Sequence, residues 1–246
     1  MQKLKETADQ LPNMVARGLL KEMEEGKYRD ADKLPSEVKI AEEIGLSRTA
    51  VRDGLSIMER EGWITRIWGH GTVINRHVFA IKNRIDLERE FLDMVRMCGY
   101  DPKIGDVRIL YDKASAFISE KLKLEEGESV IRVGRTILAS GTPAIYCEDI
   151  FSENLIRNPD FDEDELKRPI FEFIDEYCNE SVFMELTEIH ATDAKGPIAE
   201  ALSVKEGTAV LNLHEVGYNQ DGVPILYSDE YYVDGIISHS VIRKKI

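Results

Sequence analysis

The chain has 246 residues, 43% of them apolar and 32% charged, with a formal net charge of −14. That balance fits one large or two ordinary folded domains and excludes a disordered or collagen-like chain. No apolar run approaches the roughly 20 residues of a membrane span, the opening segment lacks the apolar core of a secretory signal, and Cys98, Cys147 and Cys178 show no CxxC spacing. A disulfide framework or zinc cluster is therefore not expected, and a cytoplasmic protein without a membrane partner is.

The charge is unevenly placed. Residues 1–76 hold 13 basic and 13 acidic groups, so the whole acidic excess lies in 77–246. Within 47–76 five arginines face only Asp53, Glu59 and Glu61. Such a change along the chain predicts two domains with different partners, 1–76 and 77–246.

In chain order, Leu11, Met14, Val15, Leu19 and Met23 recur at helical spacing, and Gly26 ends that helix. Ser36, after Pro35, caps a second helix over 37–44, with Ile40, Ala41 and Ile44 as its apolar stripe. Gly45 stops it. Ser47 caps a third helix from Arg48 to about Arg60, with Val51, Leu55 and Met58 inward. Then "GWITRIWGHGTVINR" reads as two short strands around a Gly69-His70-Gly71 turn.

Three helices and a two-stranded hairpin, in that order, form a winged helix-turn-helix. The run "LPSE…AEEIGLSRTAVRDGLSIMEREGWI…GHGT" resembles the DNA-binding domain of GntR-family bacterial transcription regulators over roughly residues 10–76. In a helix-turn-helix, the start of the second helix of the motif enters the major groove. Arg48 and Arg52, four apart, share one helix face, and arginine can bond two acceptors of guanine. Ser47, Thr49 and the free amides suit phosphate oxygens, as does Ser36. The resemblance implies the same set and adds Gly69 and His70 at the wing tip, against the minor groove. Val38 departs from the family, where arginine is common after LPSE. The competing reading pairs the arginines with Asp53 or Glu59 on a solvated helix. Trp68 reads as a packing residue.

The second half repeats itself. "SEKLKLEEGESVIRVGRTILASGTPAIYCEDIF" (119–151) and "AEALSVKEGTAVLNLHEVGYNQDGVPILYSDEYY" (199–232) match at an offset of 80, then 81. Each copy reads as a short helix, a turn, and two strands joined by a hairpin. Two copies predict a pseudo-symmetric antiparallel sheet with helices on one side, an α+β layout. Further helices are expected over 87–99 and in "PIFEFIDEYCN". This half is similar to the UTRA effector-binding domain (chorismate lyase-like fold) of the HutC branch of GntR regulators. The resemblance implies a homodimer, a palindromic double-stranded DNA operator, a small-molecule effector and, as the expected sign of regulation, repression.

A cleft between the repeats is the expected effector site, with Arg132, Arg135, Tyr146, Glu148, Phe171, Tyr227, Glu230 and Tyr232 as candidates. Arg135 could hold an anion, or be one half of a cross-strand ion pair with Glu148 or Glu215. Apolar Ile137, Cys147, Pro169, Phe171 and Leu226 weigh against a sugar phosphate and favour a more apolar metabolite. No enzyme is expected. Glu148–Asp149 and Asp229–Glu230 are adjacent in strands and point to opposite faces, no nucleophile elbow or P-loop occurs, and the five histidines show no ligand spacing, so neither a metal nor a cofactor is expected. An enzyme with a DNA-binding appendage, and a DNA-binding module indifferent to ligand, are the two alternatives.

Overall fold

A computed structural model describes residues 2–244, and side chains from Leu11 onward. The chain forms two compact units, one up to Lys82 together with the segment from Ile242, the other Asn83–Val241.

In the first unit α1 (Gln2–Glu24), α2 (Glu37–Ile44) and α3 (Arg48–Arg60) precede a three-stranded sheet. Its strands β1 (Lys33–Leu34), β2 (Ile64–Ile67) and β3 (Gly71–Ile74) lie in the order β1-β3-β2, all antiparallel. Ser36 and Ser47 are the N-caps of α2 and α3, accepting from the amides of Lys39 and Ala50. Val15, Leu19 and Met23 of α1 are buried, as are Ile40, Val51, Leu55 and Met58. Gly54 explains how α1 and α3 come so close: a Cβ there would lie 2.7 Å from Val15 Cγ1 and 3.1 Å from the Pro12 carbonyl. Arg76 donates to the carbonyls of Met23, Tyr28 and Ala31. It thereby satisfies the C-terminal end of α1, so one of the five arginines of 47–76 is structural.

The second unit is a six-stranded antiparallel sheet of β4 (Pro102–Lys113), β5 (Ser129–Ala139), β6 (Thr142–Ser152), β7 (Met184–Asp193), β8 (Ala209–Tyr218) and β9 (Pro224–Val233). Its order is β4-β5-β6-β9-β8-β7, a pseudo-twofold arrangement about the β6–β9 pair. The repeat is visible in the register, where Asp112 pairs with Val130 and Thr192 with Val210. The outer strands β4 and β7 carry no simple apolar alternation and were not expected from the sequence. They are edges, held by one neighbour each.

The expectation of helices on one side is corrected. α5 (Ala116–Leu122) and α7 (Pro197–Ala201) cover one face. The other is covered by α4 (Phe91–Met97) and by α6 (Ile170–Phe173), which runs on into a π-turn through Cys178. The cause lies in β5, where nearly every residue is buried, Val130 against α5 and Ile131 and Val133 against α6. A strand apolar on both faces needs cover on both. All three cysteines are buried.

Candidate functional site

The start of α3 displays its two arginines as a pair. Arg48 Nε lies 3.1 Å and Arg52 Nη2 3.3 Å from the same Glu37 Oε2, the first residue of α2. The two guanidinium-bearing side chains stay 61% and 53% exposed while Glu37 is 22% exposed. Neither the Asp53 nor the Glu59 pairing forms. Glu59 is taken by Arg66 of β2, which it binds through both the backbone amide and the side chain. Partial burial works to raise the Glu37 pKa, but hydrogen bonds from Arg52 and Arg48 outweigh it and hold the carboxyl below its ordinary range. One carboxylate thus orients both arginines across the helix-turn-helix without covering them. Ser36, Ser47 and Thr49 are exposed beside them.

At the wing, Gly69 and Gly71 adopt φ of 72° and 95°, a left-handed conformation that makes the tight turn possible. Gly69 and His70 are exposed, and Lys33 Nζ donates to the His70 carbonyl at 3.2 Å, tying β1 to the tip. Trp68 corrects the sequence reading: it is fully exposed at that tip and packs into no core. β2 ends at Ile67, so the next side chain leaves the sheet. The neighbouring Trp63 is the buried one.

The effector candidates do not form one site. Strand alternation places Arg132, Tyr146, Glu148 and Tyr227 on the α5/α7 face, and Arg135, Glu230 and Tyr232 on the α4/α6 face, where Phe171 also lies. Arg132 pairs with Glu148 at 2.7 Å and Asp112 at 3.2 Å. Arg135 pairs with neither Glu148 nor Glu215 but with Asp149, 3.3 Å away, the two being 2% and 1% exposed. Arg135 Nη1 also donates to the Arg168 carbonyl at 2.8 Å. Asp149 Oδ1 accepts from Ser228 at 2.7 Å.

The α4/α6 face carries a cleft of about 190 Å³ lined by Glu88, Phe171, Asp175, Met184 and Glu185 among others. A narrow inner recess borders Arg135, Asp149, Ser228 and Glu230, again with Glu88 and Phe171. Glu88, Glu185 and Glu215 bring carboxylate oxygens within 4.8 Å of one another. Burial, and after it the nearby carboxylates, push Glu88 up to about 7 and raise Glu185 and Glu230; burial likewise raises Glu215. Glu88 and Glu185 were missed by the sequence reading, because one sits in an irregular segment and the other on an unforeseen edge strand. Arg135 Nε and Glu185 Oε2 have no hydrogen-bond partner among the described residues.

An exposed pair of arginines at the front of a capped helix, beside a glycine-bounded wing, defines a DNA-binding module. A second unit built from a duplicated half-sheet, with a cleft lined by carboxyl and apolar side chains, defines a ligand-binding domain. The comparisons agree. Residues 11–74 match the model for bacterial regulatory proteins of the gntR family, and 98–234 match the UTRA domain. The chain belongs to the GntR family of transcription regulators that carry a UTRA domain; it is a DNA-binding regulator modulated by a small molecule.

An HTH-type transcriptional regulator of Mycobacterium tuberculosis is 24% identical over 196 residues, 78% of this chain and 71% of that one. The HTH-type transcriptional repressor NagR of Bacillus subtilis is 23% identical over 214 residues, 86% and 85% of the two chains. The crystal structure of YydK from Bacillus subtilis superposes with a TM-score of 0.74 at 19% identity, covering 95% of this chain and 99% of that one. The described helices include none long and apolar enough to cross a membrane.

Proposed function

We propose that α3 reads a palindromic operator as part of a cytoplasmic homodimer of the HutC type, acting as a repressor, and that the effector sits in the cleft of the α4/α6 face. The observation that carries the DNA reading is the Arg48–Glu37–Arg52 arrangement: two exposed guanidiniums oriented by one carboxylate at a helix start. Arg48 and Arg52 then read base edges, with Ser36, Ser47 and Thr49 on phosphates and Gly69 and His70 at the minor groove. Trp68 joins the wing contact as an apolar side chain against the groove wall. Repression follows the role of NagR, a transcriptional repressor to which this chain is similar.

The effector reading follows from charge. Arg135 is occupied by Asp149 and by a carbonyl, whereas Glu88, Glu185 and Glu230 line the cleft and its recess. Burial favours the neutral form of these carboxyls, and Arg89 is the other cation bordering the recess. We therefore read the effector as entering with a neutral, hydrogen-bonding end rather than a doubly charged one, with an apolar part against Phe171 and Met184. No group in the cleft is assigned a catalytic step. Ligand must favour one arrangement of the two DNA-binding units over another, since equal affinity shifts nothing.

DNA binding by the full chain to its operator and to scrambled duplex tests the first part. Arg48→Ala should lower the preference about 5- to 150-fold, the range of about 1–3 kcal/mol for one arginine–guanine contact, with the circular dichroism spectrum unchanged. Full retention of preference would refute the assignment. Native mass spectrometry of the purified protein identifies any retained metabolite, and Phe171→Ala should release it. A phosphorylated metabolite retained at the cleft would contradict the charge argument.

A further inference from the structure

The sheet's α5/α7 face holds a group of donors that the regulator's two sites leave unused. Glu188 and His190 lie on β7, and His214 lies next to them on β8. Glu188 is the direct cross-strand partner of His214, and His190 is two residues further along the same face. The two imidazole rings have centroids 4.6 Å apart. His190 Nε2 lies 3.9 Å from Glu188 Oε2. One ligand atom from each of the three falls within 4.8 Å of those of the other two. Asp229 adds negative charge behind them, its Oδ1 3.5 Å from His214 Nε2. That carboxylate is fixed by Asn212 at 2.7 Å and Tyr231 at 2.8 Å.

The duplicated architecture supplies an internal control. Through the offset of 80, Glu188, His190 and His214 correspond to Arg108, Leu110 and Gly134, and the same strand pairing joins Arg108 to Gly134. The first half builds this place with an arginine, a leucine and a glycine. The fold therefore does not demand imidazoles there, and the second half has acquired three metal-type donors at one point.

We propose that Glu188, His190 and His214 form a binding site for a divalent transition ion of the imidazole-favouring class, with Zn²⁺ as the fitting member. Imidazole nitrogen and carboxylate oxygen bind Zn²⁺ at about 2.0–2.2 Å, so the donors need to close by roughly an ångström, within the reach of side-chain rotation. Glu188 and His190 are about half exposed, which leaves water for the fourth position. Lys121 Nζ, 3.8 Å from Glu188 Oε2, is a cation that the ion displaces. Because β7 also carries Glu185, which lines the cleft from the opposite face, a bound ion would clamp the edge strand that forms one wall of the effector site.

The full chain, stripped with chelator, is titrated with Zn²⁺ against a chromophoric competitor. One equivalent per chain is expected. His190→Gln and His214→Gln should each weaken binding at least about tenfold, as changes around such sites do, while His77→Gln in the other unit should not. Glu188→Gln, a near-isosteric surface change, repeats the test without altering a ring. Amide exchange over 184–193 should slow on adding Zn²⁺ to the parent chain and not to the variants. Absence of stoichiometric binding, or binding that survives loss of both histidines, overturns the proposal.

Discussion

Arg135 and Asp149 form a nearly solvent-free ion pair bordering the narrow recess of the α4/α6 face. Each charge is tolerable there because of the other, with Ser228 and the Arg168 carbonyl adding one hydrogen bond each while Arg135 Nε stays without a partner among the described residues. Removing one partner leaves an uncompensated buried charge. Asp149→Ala is therefore expected to cost about 3–5 kcal/mol, read as a drop in the urea midpoint of the sheet unit by circular dichroism; a change below about 1 kcal/mol would contradict the buried-pair account. Trp68 is the opposite case, a large side chain with no packing role. Trp68→Ala should leave stability unchanged within about 0.5 kcal/mol yet weaken binding to specific and scrambled duplex alike. In the parent protein the exposed-tryptophan fluorescence should shift on adding DNA. Arg48 separates from it by measurement, because its loss should act on preference rather than on overall affinity.

At the scale of elements, α3 is positioned by its cap, its close crossing with α1, and Glu37. Ser47→Ala removes the acceptor of the Ala50 amide and is expected to cost about 1 kcal/mol. Gly54→Val adds carbon into Val15 and the Pro12 carbonyl. It should destabilise the first unit by about 1–3 kcal/mol through overpacking, although a non-glycine residue would ordinarily suit a helix interior better. A Gly54→Val protein of unchanged thermal midpoint would remove the close-crossing argument. The arrangement of α2 and α3 also shows why a spacing rule was insufficient. Asp53 and Glu59 are near Arg48 and Arg52 in sequence, but the acid that meets them begins the preceding helix.

Over the whole molecule, the pH dependence of stability should be set by the sheet unit's buried acids. Glu88, Glu185, Glu215 and Glu230 have folded-state pKa values above the ordinary carboxylate value. The native state therefore holds protons that the unfolded chain has released. That contribution is complete below the unfolded pKa of about 4.3 and is lost as pH rises through about 7 at Glu88. The urea midpoint of the sheet unit should fall between pH 5.5 and 8, and Glu215→Gln should flatten the fall; a midpoint that climbs over this interval would reject it. Glu37 and Glu59, held low by arginines, act in the opposite sense and at lower pH.

The helices and the wing turn of the first unit were legible, because their signals are local: Ser36 and Ser47 before apolar periodicity, Gly45 after it, and Gly69 and Gly71 around a turn. The third strand, Lys33–Leu34, was not, because pairing with β3 rather than its own pattern makes it a strand. The repeat in the second unit was equally legible, since equal hairpins leave equal sequence. Side-chain pairing was not. Whether Arg135 meets Asp149, Glu148 or Glu215 depends on strand register and on which face each residue takes, and a one-residue difference reverses the answer. The edge strands β4 and β7 escaped for a related reason: their pairing, rather than their own pattern, makes them strands. Local chemistry along the chain was enough to fix two modules, their order, and a pair of arginines at a helix start. Folding in three dimensions was needed to show that one glutamate orients both arginines, that helices cover both faces of the sheet, and that Glu88 and Glu185, 97 residues apart, share one cleft, because those contacts are made across space between segments whose local chemistry does not name its partner.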